Sequence, residues 1–325
     1  MKCLIQCRMA VAVTLTACIV QQANAAVSRE FVDACQNGAD ARVEFHVIDD
    51  IGKPVPHAKV DVFFDMMNRS KARQVVGDTD TNGVFVAEAR TGGVLKFRVS
   101  CDGYYCSKDE ICFIAMGHEH EVKRGRWQPW GMTKEIVLRP IRNPVAQKPY
   151  VPYAKYTRNT GEWIGFDIEK YDFVAPNGNG IHPDMELKFD WDGQRGVNFR
   201  GMDVGIRFSE PYSGAYYHDR VMTSDFKDAY FAVSNATYQN EFSFYSHPVR
   251  NERGEIIERE RKLFDPAKSL IVRSRCEVNE EGTLKQARYS EISYLTFGCG
   301  DKGVWIMFQP IYNPTPNDTN LEPKR

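Results

Sequence analysis

The chain has 325 residues, 42% of them hydrophobic and 26% charged, with a formal net charge of −1. This is ordinary globular composition, with material for one large or two modest cores. A near-neutral balance gives no support to a nucleic-acid partner, which would favour a basic patch or domain. Aromatics are plentiful, with 19 Phe, 15 Tyr and 5 Trp, and flat side chains of this kind pack well across a pleated sheet.

Residues 1–25 read as an export signal. Lys2 and Arg8 give a positive start, Met9–Val20 is a short apolar run, and Ala23-Asn24-Ala25 fits the small-x-small cleavage rule. The run is shorter than the roughly 20 residues a membrane-spanning helix takes, and no later segment reaches that length. Leu15-Thr16-Ala17-Cys18 also matches a lipobox, in which Cys18 would carry a lipid anchor. Both readings export the chain, to the periplasm or the extracellular space or, with the anchor, to the outer membrane. Cleavage after Ala25 leaves six cysteines: Cys35, Cys101, Cys106, Cys112, Cys276 and Cys299. An even number in an exported chain predicts disulfides, with Cys276 paired to Cys299 and the other four paired among themselves. Their spacing lacks the tight C-x₂-C pairs of a zinc site.

Val43–Ile48, Ala58–Phe64, Gly83–Ala89, Val94–Ser100 and Glu135–Leu138 follow as short strand patterns. Asp49-Asp50-Ile51-Gly52-Lys53-Pro54 is a turn built from Asp, Gly and Pro. Strands at this spacing predict an all-β sandwich, and no helical period stands out. VIDDIGKPVPHAKVDVFF, DTDTNGVFVAEA and VLKFRVSCDGYY, in that order over residues 41–139, resemble a carboxypeptidase regulatory-like domain, a transthyretin-like or prealbumin-like β-sandwich. That resemblance implies a non-catalytic module attached to exported proteins of many kinds.

Arg142–Tyr153 holds three prolines in twelve residues and reads as an extended linker, so the first domain is placed at 26–147. Beyond it the pattern stays β. Met185–Trp191, Met202–Phe208 and Val304–Ile311 are strand candidates, and Asn251-Glu252-Arg253-Gly254 and Asn279-Glu280-Glu281-Gly282 are paired hairpin turns. A second β-rich domain is therefore expected over 148–312, followed by a loose proline-bearing tail at 313–325. The segments GRWQPW, VLRPIRNP, GFDIEKYDFVAPNG and NPTPND make the whole chain resemble exported two-domain bacterial proteins. No activity and no site residues follow from that resemblance.

Four groups of residues suggest chemistry. Asp78, Asp80 and Asn82, followed by Gly83, fall at the first positions of a D-x-D-x-N-G calcium loop. Ala89 occupies the place where such a loop needs a bidentate Glu, so the stretch also reads as an Asx-stabilised turn. His118 and His120, two apart, would share a strand face and could hold a metal given a third ligand. Asp190, Asp192 and Glu210 stand among aromatics, as carboxylates of a glycosidase cleft would. Trp127, Trp130, Tyr216 and Tyr217 lie in turn-like surroundings, where exposed rings could stack on a sugar. No G-x-S-x-G elbow is present, and no cofactor is implied. The reading is an exported, non-catalytic binding or structural module, with carbohydrate or another envelope protein as partner. A hydrolase with its site in the second domain and a calcium-stabilised adhesion module are the alternatives.

Overall fold

A computed structural model describes residues 28–115, 122–145, 153–194 and 198–324. The export signal with Cys18, the His118/His120 pair and the expected domain boundary near 147 lie outside the described residues. Among the described residues one α-helix, α1 (Arg29–Asn37), precedes β1 (Ala39–Asp49), β2 (Lys59–Phe64), β3 (Arg73–Asp78), β4 (Val84–Thr91), β5 (Val94–Ser100), β6 (Tyr104–Tyr105) and β7 (Ser107–Cys112). Then come β8 (Val122–Lys123), β9 (Arg126–Trp127), β10 (Met132–Pro140), β11 (Lys155–Thr157), β12 (Ile164–Asp167), β13 (Asp172–Phe173) and β14 (Met185–Asp190). The last seven are β15 (Met202–Arg207), β16 (Gly214–Asp219), β17 (Glu241–Arg250), β18 (Ile256–Lys262), β19 (Lys268–Val278), β20 (Leu284–Gly300) and β21 (Gly303–Asn313). The fold is all-β, in sandwich-like arrangements, as the strand periodicity predicts.

Two compact units share the chain, and it passes between them several times. The first takes residues up to 48, 54–99 and 109–136; the second takes 49–53, 100–108 and everything from 137 on. In the first unit β1 pairs antiparallel with β4, from Ala39↔Thr91 to His46↔Val84, and β2 pairs with β3. Alternate residues of β1 point inward, so Ala41, Val43, Phe45 and Val47 are buried. Phe45 meets Phe97 of β5 edge-on at 5.1 Å, joining the two layers.

The helix escaped the sequence reading because it is short. Ser28 caps it by accepting from Phe31 N at 3.1 Å, and Gly38, with φ +81°, ends it. The turn that resembles a calcium loop is an Asx turn: Asp80 Oδ1 accepts from Asn82 N at 2.9 Å and Val84 N at 2.8 Å. Gly83 is required there on two counts. Its φ is +75°, and a Cβ would lie 2.4 Å from the carbonyl oxygen of Val47.

The second unit is built from two antiparallel sheets. One runs β11-β21-β20-β19-β16 and the other β13-β12-β14-β15-β17-β18. Ile164, Phe166, Phe173, Leu187, Phe189, Val204 and Ile206 of one sheet share a buried core with Leu270, Val272, Ile292, Ile306 and Phe308 of the other. Burial of each large apolar side chain stabilises by about 1.5–3 kcal/mol. Both predicted turns, Asn251–Gly254 and Asn279–Gly282, form: Asn251 N bonds Glu255 O, Asn279 N bonds Thr283 O, and Gly254 and Gly282 have φ near +80°.

Residues 313–324 correct the expected loose tail. Leu321 and Glu322 are both 0% exposed. Leu321 fills a second apolar cluster with Ile271, Ala287, Tyr289 and Ile311. Glu322 accepts from Tyr105 Oη at 2.7 Å and from the backbone nitrogens of Arg142 and Asn143. The prolines and polar residues of this segment shape a strap along the sheet, fixed by side-chain caps such as Asn313 Nδ2 to Asn320 O at 2.8 Å.

The cysteines also depart from expectation. No disulfide is present among the described residues. Cys276 packs beside the second cluster, while Cys299 packs against the main core and pairs in register with Val304. The stretch of β20 between Gln286, level with the Cys276 end of β19, and Cys299 separates them by roughly 40 Å at ~3.3 Å per residue. A disulfide needs Cα atoms within about 7 Å. Cys35 and Cys112 belong to the first unit, Cys101 and Cys106 to the second.

Candidate functional site

At one end of the second unit three chain segments meet around an open groove of about 410 Å³. Arg158 and Thr160 follow β11, Trp191, Asp192 and Gly193 follow β14, and Gly300, Asp301 and Gly303 form the turn between β20 and β21. Local chemistry fixes each segment. Thr157 Oγ1 accepts from Asn159 N at 3.0 Å, and Gly161 N donates to Phe189 O at 2.9 Å, which sets the path of Arg158 and Thr160. Trp191 Nε1 donates to Gln194 O at 2.9 Å while the ring packs partly against the core. Asp192 Oδ1 accepts from Gln194 N at 3.0 Å, and its other oxygen lies 3.5 Å from Arg200 Nε. Gly303 lets β11 close on the turn: its φ is +108°, and a Cβ would sit 2.2 Å from Thr157 O. The groove thus combines one indole, two carboxylates, one guanidinium, one hydroxyl and bare glycine backbone.

The residues singled out from sequence scatter. Trp127 is 1% exposed, with Nε1 donating to Thr91 O at 2.8 Å and its ring packed against Phe31 and Phe113. It is a core plug of the first unit and offers no face to a ligand. Trp130 is half-buried under the Arg126 guanidinium, 4.5 Å from its ring centre. Tyr216 and Tyr217, adjacent on β16, point to opposite faces. Tyr216 accepts from Val233 N and packs edge-on to Tyr238; Tyr217 is 41% exposed and leans on Phe242. Of the three acids only Asp192 lines the groove. Asp190 pairs with Lys188 at 3.3 Å, and Glu210 receives Cys276 N at 3.4 Å. Asp78 lies on β3, paired with Lys59 across the hairpin, and Asp80 uses an oxygen to close its own turn. Among the described residues no three His, Cys, Asp or Glu side chains form a metal-binding group. Burial pushes the thiols of Cys35 and Cys276 up to about 11, far from nucleophilic poise.

Sequence reading missed Arg158, Thr160 and Asp301. The Asp301-Lys302-Gly303 turn between two β-rich runs was a visible signal for the last. An isolated Arg and Thr after a three-residue strand give none.

Two ionic networks lie elsewhere in this unit. Arg275 binds Asp167, Glu169 and Asp184 at 2.7–3.1 Å. Burial alone would raise the Asp167 pKa. The backbone N–H groups of Ile181, Lys170 and His182, with Arg275, outweigh burial and hold it below the usual range. This network ties the loop 168–184 to β19. On the outer face of the same sheet Arg220 Nε donates to Asp228 at 2.7 Å, and Arg139 donates to the carbonyls of Phe226 and Asp228. Glu291, fully buried, receives Ser269 Oγ and Ala229 N. Burial, and then Asp228, push its pKa up to about 8. These groups are sealed beneath the 220–232 segment and hold it in place.

No family model matches the chain, and no curated protein matches it. Among solved structures it is similar to 3-chlorocatechol 1,2-dioxygenase from Rhodococcus opacus 1CP, at 11% identity and a TM-score of 0.27, covering 33% of this chain and 62% of that one. Chlorocatechol 1,2-dioxygenase from Pseudomonas putida gives 13% identity and 0.26, covering 32% and 61%. An intradiol ring-cleavage dioxygenase from Tetranychus urticae gives 12% and 0.23, covering 33% and 84%. The chain spans less than two thirds of the two bacterial enzymes. At these scores the likeness carries no argument about fold or activity.

Proposed function

We propose that the protein is an exported, non-catalytic carbohydrate-binding module of the bacterial envelope or extracellular space, with its ligand seated in the groove of the second unit. The observation that supports this most is the grouping of Trp191 with Asp192, Asp301, Arg158 and Thr160 around one open depression. An indole supplies a flat amphipathic platform for a sugar ring, and the polar groups around it can fix hydroxyl orientation. The export pattern at residues 1–25 and the resemblance of residues 41–139 to a carboxypeptidase regulatory-like module favour the same reading, with the first unit as scaffold. Among the described residues no helix is long and apolar enough to cross a membrane.

The test is a glycan array probed with the purified protein and with Trp191→Ala. Binding that is lost in the variant supports the groove. Binding that survives there and falls in Trp130→Ala moves the site to the first unit. A second reading follows from the two carboxylates lining the groove: hydrolysis of a polysaccharide. Release of reducing ends that disappears in Asp192→Asn would establish it and displace the non-catalytic reading.

A further inference from the structure

We infer that the groove selects acidic saccharides, with Arg158 as the receptor for a sugar carboxylate; this rests on the carbohydrate reading above. The charges of the groove are unequally engaged. Asp192 is held by Gln194 N and faces Arg200, and Asp301 has an interaction of its own. The Arg158 side chain, exposed on the groove wall, makes no hydrogen bond or ion pair among the described residues. The Thr160 hydroxyl, which also lines the groove, makes no hydrogen bond among the described residues either. Among the described residues, the uncommitted side-chain donors lining the groove are therefore one guanidinium fork and one hydroxyl.

A guanidinium presents planar paired donors that match a carboxylate in bidentate geometry, and such charge-assisted bonds are roughly twice as strong as neutral ones. A neutral sugar would leave this fork facing water. A hexuronate would place its ring against Trp191 and its carboxylate on Arg158, with Thr160 to a neighbouring oxygen. Two further cations flank the groove and offset its two carboxylates. Arg200 lies against Asp192, and Lys302, next to Asp301 in the turn, sits 5.4 Å from the Tyr156 ring centre. Selection would therefore act through Arg158 and weaken with salt.

Calorimetric titration of the full protein with galacturonate, glucuronate and mannuronate tetramers, and with a neutral hexose tetramer, tests this. At low salt at least one uronate should bind about tenfold or more tightly than the neutral ligand. Arg158→Gln should bring the uronate down to the neutral level and leave the neutral ligand unchanged, and Arg158→Lys should fall between. Trp191→Ala should weaken both. Arg158 is exposed, so an unchanged melting temperature verifies that each variant is folded. Equal binding of acidic and neutral ligands, or an Arg158→Gln variant that keeps its uronate affinity, overturns the acid selectivity while the Trp191 effect leaves carbohydrate binding standing. Failure of every ligand to bind overturns both.

Discussion

The two faces of the five-stranded sheet in the second unit are stabilised by different physics. The inner face presents Leu270, Val272, Ile292, Ile306 and Phe308 to a dry core. The outer face presents Glu291 between Ile271 and Ile311 in register, and buries it completely, with Ala229 N and Ser269 Oγ donating to it beside the Arg220–Asp228 pair. On the inner side each residue contributes by leaving water. On the outer side the charged groups hold only as a set, because a buried charge deprived of its partner is costly. A strand's alternation announces the first kind of face. The second kind depends on which distant segment covers it.

The largest expected effects set one face against the other. Arg220→Ala should cost about 3–5 kcal/mol in urea unfolding, since it strands Asp228 beside Glu291. Phe166→Ala should cost a similar 3–5 kcal/mol by opening a cavity. A loss under about 1 kcal/mol for Arg220→Ala, well inside the range of surface substitutions, would show that the outer layer is dispensable.

The buried acid of the outer face also makes stability depend on pH. Glu291 ionises near 4.5 in a free chain and near 8 in the fold, because burial raises it. The folded state therefore keeps a proton that the unfolded chain releases. That stabilisation is whole below pH 4.5 and is lost as pH rises through about 8, at up to about 1.4 kcal/mol per pH unit. Glu291→Gln should flatten this slope. A wild-type stability that is level between pH 5 and 8 would mean that Glu291 is not the buried acid described.

Smaller effects come from single backbone positions. Gly303→Ala, at φ +108° with Thr157 O in the path of the new Cβ, should cost about 2 kcal/mol and loosen the groove end of β11. Unchanged stability would show that the turn has room. Asp80→Ala should cost about 1 kcal/mol through its two lost hydrogen bonds. Excess calcium and chelator should give the same melting temperature in wild type, because Asp80 serves its own turn. A calcium-dependent rise, which a ligand of the folded state must cause, would revive the adhesion reading.

The contrast between Asp80 and Glu291 shows what a sequence carries. Asp80, Asn82 and Gly83 act within five residues of each other, so the turn was readable, as were the Asn251 and Asn279 hairpins and the apolar rows of β1 and β14. Glu291 alternates with Ile292 and so reads as a solvent-facing strand residue. Its burial depends on Ala229 and Asp228, some sixty residues away. Trp127 failed for the same reason: a Gly-rich neighbourhood reads as an exposed loop, yet the ring closes onto Phe31 and Phe113. The groove was legible by one third, through Trp191-Asp192-Gly193. Arg158 and Asp301 join it only when β11 and the β20–β21 turn come together.

Hydrogen–deuterium exchange with and without the oligosaccharide chosen by the array locates the bound ligand along the chain. Ligand should protect residues 157–161, 189–194 and 299–304 together and leave the rest of the chain unchanged. Protection centred on residues 122–132, with none in those three segments, would contradict the assignment of the groove as the binding site.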